Sequence, residues 1–100
     1  MKTRTKARSR AVEALFEGEQ RQVSAITVLQ RNTEVNEYAT ELVELVSGNL
    51  GKVDETITTY LADRTISRMP ALDRAIARVA VAELIWHPEI DTSVIIAEAM

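Results

Sequence analysis

Every second residue from Lys2 to Arg10 is basic: Lys2, Arg4, Lys6, Arg8 and Arg10, with no acid among the first ten positions. On a helix Arg4 and Arg8 stack one turn apart, as do Lys6 and Arg10. The two pairs flank an apolar stripe of Ala7, Ala11, Ala14, Leu15 and Phe16, widened by Val12. Such like-charge pairs weaken an isolated helix, and Glu13 offsets only Arg10. Five cations without local acids favour a polyanion, and a nucleic-acid phosphate backbone is the natural one. The bland alternative is a solvated, fraying start to the chain.

Other chemistry is sparse. His87 is the sole histidine and there is no cysteine, so neither a Ser-His-Asp triad nor a Cys-His dyad with a second orienting histidine is indicated. His87 precedes a proline at an expected helix end, where it would interact with the terminal carbonyls. A metal site would have to be all-carboxylate. Glu41 and Glu44 are spaced as on a solvated helix face, so no metal and no cofactor is expected. Gly18, Gly48 and Gly51 do not follow predicted strands, as a phosphate-binding loop requires. The expectation is a binding protein, not an enzyme.

The elements that carry these residues are helical. One hundred residues suit a single domain, taken here as residues 1–100, with 46% apolar residues to fill one modest core. Three glycines and two prolines are few for an all-β chain. No apolar run reaches the ~18 residues of a membrane span, and the basic start lacks the apolar stretch of a signal peptide. Without cysteines nothing points to an oxidising compartment, so a soluble cytoplasmic protein with no membrane association is expected. The net charge of −3 conceals an asymmetry, because residues 11–100 carry seven basic and fifteen acidic side chains. A basic arm on an acidic body suggests an anionic partner at one end and a different partner elsewhere.

Thr3 to Glu19 favours a first helix, which Gly18 does not clearly stop. Ser24 is a fair N-cap for a short helix from Ala25 to Gln30, and Asn32-Thr33 reads as a turn. From Glu34 to Ala62, Tyr38, Leu42, Leu45, Val46, Leu50, Val53, Ile57, Tyr60 and Leu61 recur at threes and fours. That periodicity predicts one long, bent helix; Gly48 and Gly51 mark either a break or the close approach of another helix. Asp63 to Ser67 is a connection. The central helix runs from about Pro70, in its first turn, to Trp86, with Leu72, Ile76, Val79 and Ala80 on one face. Ala75, Ala82, Ile85 and Trp86 widen that sector, so the charges Asp73, Arg74, Arg78 and Glu83 must reach a surface or pair. His87-Pro88 ends the helix. Asp91 is a plausible cap for a last segment, Thr92 to Met100, whose Val94 and Ile95 are too apolar for a solvated tail.

Four blocks in this order resemble the NusB transcription antitermination factors. They are Ala7-Arg8-x-x-Ala11-Val12-x-Ala14-Leu15-Phe16; Tyr38-x-x-x-Leu42-Val43-x-x-Val46-x-x-Asn49-x-x-x-x-Asp54; Arg68-Met-Pro-Ala-Leu-Asp-Arg-Ala-Ile-x-Arg78-x-Ala80-x-x-Glu83-Leu84; and Val94-Ile-Ile-x-Glu98-Ala99. The resemblance implies an all-α fold of about five helices in two packed subdomains. It implies RNA binding in partnership with a small-subunit ribosomal protein, also called NusE. Together the two hold single-stranded boxA-type RNA in the transcription complex and promote ribosomal RNA synthesis.

The resemblance places the RNA contacts on Lys2, Arg4, Lys6, Arg8 and Arg10, and aligns Tyr60 with an aromatic that could stack on a base. Core packing is the simpler expectation for Tyr60. Asp73, with Arg74, falls on the protein-partner surface, although a first-turn acid complements the helix dipole in any case. Arg78 and Glu83, five apart, are expected to act as a structural pair or to bind neighbouring helices.

The sequence departs from the family at Arg64, Ala77 and Ala97, and the family continues past Met100 with further helices. A C-terminally short chain is therefore expected, and apolar surface near Val94 and Ile95 could then drive homodimerisation. Two alternatives stand beside antitermination: the RNA-positioning module of a ribosomal-RNA cytosine methyltransferase, and a protein-binding helical module without RNA activity.

Overall fold

The computed structural model describes residues 2–31, 36–60 and 66–87, and all statements concern these. The expected turn at Asn32-Thr33, the departures at Arg64 and Ala97 and the expected last segment from Thr92 lie outside them. Five α-helices follow in order: α1 (Lys2–Arg21), α2 (Ala25–Gln30), α3 (Glu37–Gly48), α4 (Leu50–Tyr60) and α5 (Ala71–Trp86), with a 3₁₀ turn at Ile66–Arg68 before α5. No strand occurs among the described residues.

The apolar stripe of α1 is built from small residues. Ala7, Ala11 and Ala14 are buried, and Gly18 continues their row. The helix runs through Gly18 and stops at Arg21. Gln22 takes a left-handed φ of 57°, while Val23 N–H donates to the Gly18 carbonyl (2.9 Å) and Gln22 N–H to that of Glu19 (3.4 Å). This pairing is a Schellman ending, which satisfies carbonyls the helix leaves open and reverses the chain. The reversal brings α2 back along α1. A Cβ at Gly18 would meet the Val23 carbonyl oxygen at 2.8 Å and Ala25 Cα at 3.1 Å, so glycine is what permits the close return. Ser24 stands at the N-cap of α2, but its side chain makes no capping bond.

The long helix expected from Glu34 to Ala62 is two helices. Asn36 caps α3 by accepting from Ala39 N–H (3.0 Å). At Asn49 the backbone leaves the α region (φ −133°, ψ 31°). Its side-chain Nδ2 donates back to the Leu45 carbonyl (2.9 Å), and its backbone carbonyl accepts from Val53 N–H in α4. A Cβ on Gly48 or Gly51 would meet nothing within 4 Å, so neither glycine admits a neighbouring helix. They weaken the helix where it breaks, as the unfavourable helix propensity of glycine dictates.

Two core clusters result. One joins Ala7, Ala11 and Ala14 of α1 with Ala25 and Leu29 of α2, Ala39, Leu42 and Val43 of α3, and Val79 of α5. The other joins Val53 and Ile57 of α4 with Val81 of α5, and Ile66, Met69, Ile85 and Trp86 pack against it. Helix α5 is the wall shared by both. Pro70 sits one position before it as the N-cap, its carbonyl accepting from Arg74 N–H (2.9 Å). Leu72, expected on the apolar face, is 48% exposed, because the buried face of α5 is Ala75, Val79, Val81, Ala82 and Glu83.

Candidate nucleic-acid interface

A residue's position around a helix advances by ~100° per step, so the buried row of α1 divides its cations into two flanks. Arg4 and Arg8 lie on one side of that row, Lys6 and Arg10 on the other. The side chain of Lys2 lies outside the described residues. Tertiary packing treats the two flanks differently.

The Arg4–Arg8 flank faces α3 and α5. Arg8 is only 4% exposed, and its Nε donates to Glu83 Oε1 at 2.6 Å. Tyr38 Oη donates to the other oxygen, Glu83 Oε2, also at 2.6 Å. Glu83 itself is fully buried. A buried carboxylate is tolerable only with this degree of satisfaction, a cation on one oxygen and a hydroxyl on the other. Burial first, and then donation to Glu83, push the Tyr38 hydroxyl well above its ordinary titration range, so it remains a donor. One turn earlier the Arg4 guanidinium lies 5.3 Å from the Tyr38 ring centroid, a cation–π geometry. Arg8, expected among the RNA contacts, is therefore a structural cation that locks α1 to α5 and is covered from solvent. Arg4 keeps an exposed position while resting on Tyr38.

His87 lies beside this cluster. Its backbone N–H closes α5 on the Glu83 carbonyl (2.8 Å), and its ring stands 5.4 Å from that of Tyr38. The imidazole Nε2 lies 2.5 Å from Glu41 Oε2 on α3. Glu41 thus has an imidazole neighbour on a face expected to be merely solvated. Among the described residues, no group of three or more His, Asp or Glu is placed to hold a metal.

A second network ties α1, α4 and α5 together around Glu19. Arg74 donates to Glu19 and to the carbonyls of Ile66 (3.2 Å) and Met69 (2.9 Å). Arg78 reaches Glu19 Oε2 at 3.3 Å and grips Asp54 with two bonds of 2.9 Å. Arg74, expected on the protein-partner surface, is half-buried and organises the entry to α5. Arg78 and Glu83 each bind a neighbouring helix, the second of the two roles expected for them. Asp73 is exposed in the first turn of α5.

The hydrogen bond from Arg74 holds the Glu19 carboxyl below its ordinary value of 4.5, against a smaller opposing effect of burial. A depressed folded-state value means the network's stabilisation is present above about 4.5 and is lost as pH falls through the lower folded value. Glu19→Gln should therefore lower the urea midpoint at neutral pH and flatten its fall on the acid side. A midpoint–pH curve parallel to wild type would contradict this.

The opposite flank of α1 is open. Arg10 lines a groove of about 190 Å³ between α1 and α2, together with Glu13, Glu17 and Arg21 of α1 and Arg31 at the end of α2. Lys6 stands exposed one turn before Arg10 on the same side. Arg21 could have been found in the sequence, since eleven residues from Arg10 is three helical turns. Arg31 could not, because only the Schellman reversal carries it back to α1. Tyr60, for which packing was the simpler expectation, is 80% exposed at the end of α4.

The model of the NusB family matches residues 5–100 of this sequence. The transcription antitermination protein NusB of Paenarthrobacter aurescens is 41% identical over 105 residues, covering all of this chain and 77% of that protein. The namesake from Salinispora tropica is 43% identical over 108 residues, covering 79% of its length. The chain belongs to the NusB family. NusB of T. maritima has the same fold, with a TM-score of 0.85 at 27% identity over 96% of this chain and 72% of that one. A chain in the crystal structure of a plectonemic RNA supercoil superposes with a TM-score of 0.86 at 23% identity, over 99% of this chain and 78% of that one, and shows the fold. Membership makes this a transcription antitermination protein and not an enzyme. As in NusB of T. maritima, the architecture is all-helical. No described helix is long and apolar enough to cross a membrane.

Proposed function

We propose that this NusB-family protein acts by scaffolding. It holds single-stranded boxA-type RNA on α1 and pairs with the small-subunit ribosomal protein NusE. The pair keeps transcription of ribosomal RNA from terminating. The observation that carries the RNA reading is the start of α1, where Arg4 and Lys6 are exposed and Arg10 half-exposed, with no acid in the first ten residues. The lattice of phosphates on an RNA strand is the polyanion such a row suits, and a protein that displaces its counterions binds it in a strongly salt-dependent way. The antitermination role of the relatives supports the same reading, since antitermination acts on a nascent transcript. Arg8 contributes by fixing α1, and in the sequence Lys2 precedes these cations. Asp73, with Leu72 exposed beside it, is the part of α5 that would face NusE.

Titrating a labelled boxA-type strand by fluorescence anisotropy, with and without NusE, tests this. The Arg4→Ala/Lys6→Ala/Arg10→Ala variant should lose binding by at least tenfold, with a shallower dependence on salt. Affinity unchanged in that variant, or no binding by the wild type at low salt, would sink the proposal.

Tyr60 offers an exposed ring suited to stacking on an unpaired base. Such a contact is worth ~1–3 kcal/mol when removed by alanine substitution. Tyr60→Ala should accordingly weaken RNA binding about tenfold while leaving the melting temperature near that of wild type, since the ring buries little surface. Equal affinity would assign Tyr60 elsewhere. Sedimentation at rising concentration, with and without RNA, reads out whether the protein also forms a homodimer.

A further inference from the structure

We infer that the groove between α1 and α2 is a nucleotide subsite that continues the RNA path beyond the basic start of α1. The inference rests on the RNA-binding reading above and specifies where the strand goes. Three arginines converge on the groove from different parts of the chain: Arg10 and Arg21 from α1, and Arg31 from the end of α2. Lys6 leads to it along the same flank. The other flank is closed to a strand at Arg8, which is buried against Glu83.

The lining decides the class of ligand. Its volume of about 190 Å³ is below the ~300 Å³ at which pockets for drug-sized ligands begin, and suits one unit of a longer molecule. Glu13 and Glu17 line the same space, so the groove offers carboxylate acceptors beside the three cations. A nucleotide satisfies both kinds of group: its phosphate accepts from the arginines, and an exocyclic amino group on its base donates to a carboxylate, the pairing by which acidic side chains read cytosine N4. Arg21 and Glu17 are 3.7 Å apart and both well exposed, a weak ion pair that such a ligand can displace. Uridine, which presents an acceptor where cytidine presents the amino group, fits the carboxylates less well.

The test uses the full chain and two single-stranded probes of equal length, oligocytidylate and oligouridylate, followed by fluorescence anisotropy over a range of salt. The variant is Arg21→Gln/Arg31→Gln, which removes the charge but keeps an unbranched polar side chain at two exposed positions, with circular dichroism to confirm helix content. The expected result is tighter wild-type binding of oligocytidylate. The double variant should lose at least tenfold on that probe, and the slope against salt should fall by about one to two. A wild type that binds both probes alike, or a double variant with wild-type affinity and slope, overturns the groove assignment and leaves the RNA-binding reading standing. Wild-type protein that binds neither probe nor a boxA-type strand at low salt overturns that reading itself.

Discussion

Replacing Arg8 with alanine is expected to destabilise the protein by about 3–5 kcal/mol, the cost of breaking a buried ion pair from one side. Glu83 is fully buried and would retain Tyr38 as its remaining donor among the bonds described, which leaves a negative charge without its cation. Glu83→Gln should be severe for the converse reason, because the Arg8 guanidinium would then lie buried against a neutral amide. The triple change Arg8→Met/Glu83→Leu/Tyr38→Phe removes the guanidinium, the carboxylate and the hydroxyl together, and much of the stability should return, as apolar replacements of buried ion pairs often allow. Urea unfolding of the variants measures this. If the single changes cost less than about 1 kcal/mol, the cluster is not the clamp described. The triple variant has a second use. Should it bind RNA as well as the wild type does, Arg8 serves the interface only through the position of α1.

The second large effect is expected at Gly18. Alanine in place of a mid-helix glycine ordinarily stabilises by up to ~1 kcal/mol. Here the added Cβ would sit 2.8 Å from the Val23 carbonyl oxygen, a backbone atom held in the turn by its neighbours. Overpacking of this kind typically costs about 1–3 kcal/mol, so the sign should reverse: Gly18→Ala should be destabilising, and Gly18→Val more so. Thermal melts decide it, and a rise in melting temperature for Gly18→Ala would show that the α1–α2 turn yields easily. Since the same turn brings Arg31 beside Arg10, a Gly18→Val protein that remains folded should also bind oligocytidylate less tightly.

The sequence by itself determined the helical class, the first and central helices to within about two residues, the basic opening and the family resemblance. Each follows from order along the chain: apolar residues at threes and fours, charges at fixed intervals, motif blocks in sequence. It could not distinguish Arg8 from Lys6. Both stand on flanks of the same stripe, and periodicity reports an angle around the helix axis, not what lies at that angle. Only the packing of α3 and α5 placed Tyr38 and Glu83 over one flank and left the other open. Tyr60 and Leu72 were misplaced for the same reason, since each is in phase with buried neighbours at a height where no described helix covers it. The break at Asn49 was hidden because the apolar rhythm carries through it, and the choice between a bent helix and two helices depends on which core each half joins. Arg31 joined Arg10 through a left-handed Gln22, a conformation that a sequence without glycine at that position does not announce. The basic arm was legible from the first ten residues; which of its cations can touch a ligand was decided by what the rest of the chain packs against them.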